Sequence, residues 1–143
     1  MVVVLEDLGQ AVKRLQHRHH RMVDARLVPL GITLVQWDAL RAISRRPGAS
    51  SHRLAQLTFQ TDQSFGALAN RLVARGLINR VTGPGRALRH CLTPAGKALL
   101  SEGYPMYDEE LSKSFSPFSS TERDTLYDLL TRLLHGSDAP LVE

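Results

Sequence analysis

Apolar residues recur along most of the chain at spacings of three and four. The pattern predicts a helical protein interrupted once by a pair of short strands. Leu5, Leu8, Val12, Leu15, Met22 and Val23 place a first helix over about residues 5–27, ended by Pro29 and Gly31. Thr33 with Gln36 three residues on is a capping-box pattern, in which the hydroxyl and the amide each satisfy the other's backbone N–H. It opens a second helix whose inward stripe is Leu34, Trp37, Leu40, Ala42 and Ile43, and Pro47-Gly48 stops it. Ser50 or Ser51 caps a short third helix carrying Leu54, Ala55 and Leu57. After Thr58-Phe59-Gln60, Thr61 opens a fourth helix that runs to Arg75, with Phe65, Leu68, Ala69 and Leu72 inward and Gly76 as its C-cap. Leu77–Val81 and Ala87–Leu92 read as strands around the breaker-rich turn Thr82-Gly83-Pro84-Gly85. Thr93-Pro94 starts a fifth helix bearing Leu99, Leu100, Met106 and Leu111, which Pro105 is expected to kink or divide. Ser119 with Glu122 caps the last helix, where Leu126, Leu129, Leu130, Leu133 and Leu134 form the cleanest amphipathic stripe in the chain. The tail beyond Gly136 is expected to fray.

A short helix, a turn of a few residues and a helix with a polar leading turn (Thr61, Asp62, Gln63, Ser64) have the layout of a helix-turn-helix. Strand, turn and strand straight after it read as a wing. The predicted fold class is mainly α (α+β): a winged helix-turn-helix DNA-binding domain over residues 33–93, with an N-terminal helix (1–32) and C-terminal helices (94–143) as dimerisation elements. The expected seam is Leu126, Leu130, Leu133 and Leu134, with Leu5, Leu8 and Val12 opposite, because a small chain offers little else to cover two apolar stripes.

Charge sharpens this picture. The net charge of +4 is unevenly spread: residues 41–93 hold nine arginines against one acid, Asp62, while residues 94–143 are acidic. A basic middle points to a polyanionic partner, and the arginine fork suits phosphate and base contacts. The single cysteine, Cys91, excludes an internal disulfide or a cysteine-based zinc cluster, and as a strand residue it is expected to be small, apolar and buried. No apolar run approaches the roughly 18 residues of a membrane span. The apolar start, Met1–Leu5, is cut short by Glu6 and Asp7, so the chain is expected to be soluble and cytoplasmic. There is no phosphate loop, nucleophile elbow, paired-carboxylate motif or zinc signature. Neither enzymatic activity nor a cofactor or metal centre is expected.

The order of elements resembles the MarR family of transcriptional regulators, and four stretches carry the likeness in register. Thr33-Leu34-Val35-Gln36-Trp37 is similar to the family's LT-x-x-Q-W, and Leu54-Ala55 to its short third helix. The segment from Asn70 to Ile78 is similar to D-R-L-E-x-R-G-L-V, and Leu92-Thr93-Pro94-Ala95-Gly96 to L-T-x-x-G. Two departures stand out: Pro84 and Arg86 occupy the wing's usual Asp-x-Arg, and Gly66 and Ala67 replace polar or basic side chains.

The resemblance implies a homodimeric, sequence-specific regulator of double-stranded DNA with a pseudo-palindromic operator, a repressor released by a small aromatic or phenolic ligand. On the fourth helix Gln63 is the expected base reader, since its amide donates and accepts as adenine's edge requires. Ser64 is assigned to a base or phosphate, Thr61 and Ala67 to the same face, and Asn70 to phosphate or packing. Asp62 either caps the helix or accepts from a cytosine amine, and Arg71 binds phosphate or pairs within the domain. Arg86 is expected in the minor groove. Arg53 and Arg75, with Arg45, Arg46 and Arg89, are candidates for phosphate contacts. The implied ligand pocket draws on Trp37, His20, Arg21, Tyr104 and Tyr107. Two alternatives stay open: a redox- or metal-responsive regulator using Cys91 or the His17/His19/His20 group, and a winged-helix adaptor that binds protein rather than DNA.

Overall fold

In the computed structural model, which describes residues 2–83, 85 and 88–135, a predicted serine or threonine cap is made as a hydrogen bond at each of the helix starts where one was expected. The Thr33 hydroxyl accepts from the Gln36 amide at 3.1 Å while the Gln36 side chain accepts from the Thr33 amide at 3.3 Å. Ser50, Thr61 and Thr93 accept from the amides of Arg53, Ser64 and Gly96, and Ser119 with Glu122 closes a second reciprocal box. Each cap of this kind is worth about 1 kcal/mol. The helices so defined are α1 (Leu5–Leu27), α2 (Leu34–Arg45), α3 (Ser51–Leu57), α4 (Asp62–Ala74), α5 (Pro94–Ser114) and α6 (Ser120–His135), with a 3-10 turn at Val28–Leu30. One antiparallel hairpin, β1 (Ile78–Thr82) and β2 (Leu88–Leu92), follows α4, with Ile78 opposite Leu92 and Thr82 opposite Leu88. The fold is the predicted mainly helical winged helix.

Trp37 heads the largest fully buried side chains of the core. It is fully buried, donates from Nε1 to the Leu100 carbonyl at 3.2 Å, stacks on Tyr107 and meets Tyr104 edge-on. The same core cluster holds Leu27, Leu40, Leu54, Phe65, Leu72 and Ile78, all fully buried. Two glycines of α5 permit this packing: a Cβ on Gly103 would overlap the Trp37 ring, and one on Gly96 would overlap the Leu77 carbonyl. Arg26 ties α1 to α5 by donating to Glu110 at 2.8 Å and to Glu109 at 2.6 Å, and this pairing holds the Glu110 carboxyl below its ordinary pKa.

Three expectations need correction. Pro105 does not divide the fifth helix, which runs unbroken through it. The proline is exposed, and Leu100, Gly103 and Tyr104 hold that stretch of α5 on α2. The first strand starts at Ile78 and not Leu77, because Leu77 completes the exit from α4: its amide bonds to the Leu72 carbonyl while Gly76 takes φ +72°. Cys91 is exposed, because the alternation of β2 turns its neighbour His90 inward instead. The expected fraying beyond Gly136 lies outside the described residues.

The last helix behaves differently from the others. No residue of α6 is buried. Leu133 and Leu134 are 69% and 61% exposed, Leu130 and Leu129 are also open, and at the other end of the chain Leu5 is 82% exposed with Leu8 and Val12 half uncovered. Among the described residues no helix is long and apolar enough to cross a membrane.

Candidate nucleic-acid interface

Helix α4 has two opposed faces. At about 100° per residue, Phe65, Leu68, Ala69 and Leu72 form one side, and all four are buried. Gln63, Ala67, Asn70 and Ala74 fall on the side directly opposite, and all four are exposed. The N-cap is Thr61, whose hydroxyl takes the Ser64 amide at 3.0 Å. Asp62 is therefore not the cap. Its carboxylate accepts from His52 Nδ1 on α3 at 2.8 Å, and His52 Nε2 lies 3.3 Å from the Gln56 amide nitrogen. The one acid of the basic segment is thus engaged by the neighbouring helix. Ser64 and Arg71 stand on the flank of the stripe, both exposed, and Ser64 borders a groove shared with Gln16 and His20 of α1.

The remaining predicted contacts divide. Arg53 is half-buried and donates to Gln56 at 3.4 Å on its own helix. Arg75 is the C-cap of α4, at the far end from Gln63, and donates to the Gln36 side chain at 3.2 Å. Arg89 donates to the Gly48 carbonyl at 2.6 Å and pins the hairpin to the loop before α3. Arg45 and Arg46 are exposed. Arg86 and Pro84 lie outside the described residues.

Between α3 and α4 the turn residue Phe59 has φ +57° and is 88% exposed, a backbone conformation that costs a side-chain-bearing residue about 1–2 kcal/mol. Inside the hairpin, His90 is 2% exposed and edge-on to Phe65, and neither ring nitrogen has a partner. Burial, then the nearby Arg80 charge, lowers its pKa.

The predicted pocket residues do not assemble as expected. Trp37 is core, and Tyr104 packs on it. Arg21 opens on a different face of α1, with Lys13, Arg14 and His17. His20 and Tyr107 do meet, in a hollow of about 490 Å³ between α1, α2, α5 and α6, where Asp38, His19, Leu111 and Leu130 also line the wall. Burial raises the Asp38 pKa, while Arg41 and His20 oppose the rise; burial also raises that of Tyr107. His19 contacts Ser114 and the Phe115 ring, so it faces away from a joint site with His17. Among the described residues no three His, Cys, Asp or Glu side chains are grouped to hold a metal.

Sequence reasoning missed Arg80, His52 and Asp38. The one available signal was an arginine at an inward position of β1; His52 and Asp62 are ten residues apart on different helices, which no local pattern links.

A model of the MarR family matches residues 30–87. A probable transcriptional regulator from Pseudomonas aeruginosa is 32% identical in its crystal structure, with 91% of this chain and 99% of that one covered and a TM-score of 0.78. The chain belongs to the MarR family. An HTH-type transcriptional repressor of Mycobacterium tuberculosis is 38% identical over 79 residues, 54% of this chain and 57% of that protein, so the matched stretch spans little more than half of this curated relative. In its crystal structure with p-aminosalicylic acid this same mycobacterial protein, a member of the MarR family, is 28% identical over 91% of this chain and 98% of that one, with a TM-score of 0.74. The MarR family model covers α2, α3, α4 and β1; α5 and α6 lie beyond it.

Proposed function

We propose that this chain is a transcriptional regulator that binds double-stranded DNA as a homodimer, a cytoplasmic repressor released by a small aromatic or phenolic acid. The outward stripe of α4 carries the reading. Gln63, Ala67 and Asn70 stand uncovered behind a polar leading turn, in a segment of nine arginines whose one acid is held by His52. Gln63 reads a base edge, Thr61, Ser64 and Arg71 contact the flanks, and Arg53 and the wing residue Arg86 approach the backbone and the minor groove. Arg75 is assigned to holding the end of α4 against α2 and not to DNA. Residues 33–93 form the DNA-binding unit. The flanking helices bring two copies onto a pseudo-palindrome whose half-sites lie about 10 base pairs apart or a multiple of that. The hollow lined by His20 and Tyr107 is the proposed ligand site, and the p-aminosalicylic acid complex of the mycobacterial relative supports that class of ligand. A ligand there weakens DNA binding only by favouring a different spacing of the two α4 helices.

Selection from random duplex DNA tests the reading. The expected product is an inverted repeat, bound more weakly as salt rises and released by p-aminosalicylic acid. Gln63→Ala relaxes the preference at one position in each half-site. A protein that enriches no sequence and retards no duplex at low salt overturns the proposal.

A further inference from the structure

Arg80 stands on β1 directly across from His90 on β2, on the same face of the ladder. From there its guanidinium reaches α4 and donates to Asn70 Oδ1 at 2.6 Å. Arginine carries donors only, so the oxygen of the Asn70 amide must face it, and the NH2 group must face away. Asn70 lies on the same outward stripe as Gln63, and its NH2 group has no partner among the described residues. Arg80 pairs with no carboxylate among the described residues, and its Nε is a buried donor left without a partner. A guanidinium with its full charge is therefore held at the edge of the stripe by a neutral amide.

We propose that Arg80 is a positioning residue that fixes Asn70 as a hydrogen-bond donor toward a base in the major groove. The proposal rests on the DNA-binding reading above. An amide free to turn can both donate to adenine N7 and accept from adenine N6. With its oxygen turned inward it offers only N–H groups. These suit guanine O6 and N7 or thymine O4, and adenine's N6 donor is left unmatched. An aspartate at this position, as in the D-R-L stretch that Asn70-Arg71-Leu72 resembles, would neutralise the arginine and present no donor at all. The Asn70–Arg80 pair thus gives this chain a base preference that an aspartate there cannot give.

Duplex pools randomised over the binding site are selected with the unmodified protein and with Asn70→Ala, Asn70→Asp and Arg80→Met. The methionine keeps an apolar stem over His90. The unmodified protein prefers guanine or thymine over adenine at one position per half-site, and Asn70→Ala loses that preference. Asn70→Asp binds about tenfold more weakly or worse. Arg80→Met, with its folding checked by thermal melting, raises the share of adenine at that position; if it does not fold, Arg80→Gln replaces it, because a glutamine amide can donate or accept and so fixes neither orientation of Asn70. The second arm needs no DNA: in the 15N-labelled free protein, the Asn70 side-chain NH2 resonances move when Arg80 is replaced. An Arg80 variant that folds yet keeps every base preference, or leaves the Asn70 resonances in place, overturns the proposal. An unmodified protein that enriches no sequence sinks the DNA-binding reading instead, and the spectral arm still judges Arg80.

Discussion

At His90 a single inward side chain ties stability to pH. Burial and the Arg80 charge disfavour the imidazolium, so the folded chain holds this ring neutral with a lowered pKa. In the unfolded chain the same ring titrates at about 6.5. Below that pH the unfolded state binds the proton more readily, so the stability contributed above about pH 6.5 is lost as the pH falls. His19 acts in the same direction, through its own burial and then Arg18. Thermal midpoints of the unmodified protein are expected to drop between pH 7 and pH 5.5, and His90→Leu should shallow that drop. Equal slopes for the two proteins would count against the assignment. The position was readable as a strand residue, but its identity as the inward one was not: the pattern Ala87–Leu92 alternates, and only the ladder decides which alternate faces Phe65.

Between elements, close approach outweighs propensity. Both Gly9 on α1 and Gly103 on α5 lie inside helices, where alanine is intrinsically better by about 0.8–1 kcal/mol. At Gly9 an added Cβ meets nothing within contact range, so Gly9→Ala should raise the thermal midpoint. At Gly103 the same methyl overlaps the Trp37 ring, and overpacking of this kind costs about 1–3 kcal/mol, more than the propensity gain. Gly103→Ala should therefore lower the midpoint, as calorimetry or circular dichroism can measure. A rise in both variants would mean that α5 does not lie this closely on α2. The sequence marks each glycine equally; the sign of the effect comes from what crosses the helix.

The whole molecule exposes more apolar helix surface than one chain can use. An isolated helix of about a dozen residues is marginal in water, and α6, 16 residues long, has no fully buried side chain among its described residues. Leu130, Leu133 and Leu134, with Leu5, Leu8 and Val12, leave an apolar surface that a second copy covers in the proposed dimer. Sedimentation of the unmodified protein should report a dimer. Leu133→Asp combined with Leu134→Asp should shift it to the monomer and weaken duplex binding by more than a loss of fold explains. A doubly substituted chain that still sediments as a dimer would place the seam elsewhere.

The amino-acid sequence alone determined what acts over a few residues. Hydroxyl caps, breaker pairs, the C-cap glycine and the apolar spacing set the number, order and near-exact bounds of the helices and the hairpin, because each depends on backbone groups within a turn or two. The four registered stretches likewise carried the MarR likeness. Tertiary structure alone decided which side chains meet across elements. Tyr104 packed on Trp37, Arg75 turned to Gln36, His52 took Asp62, and Arg80 reached Asn70. Those meetings depend on the angles and offsets at which helices pack, set by the whole core together, and no spacing along a single segment encodes them.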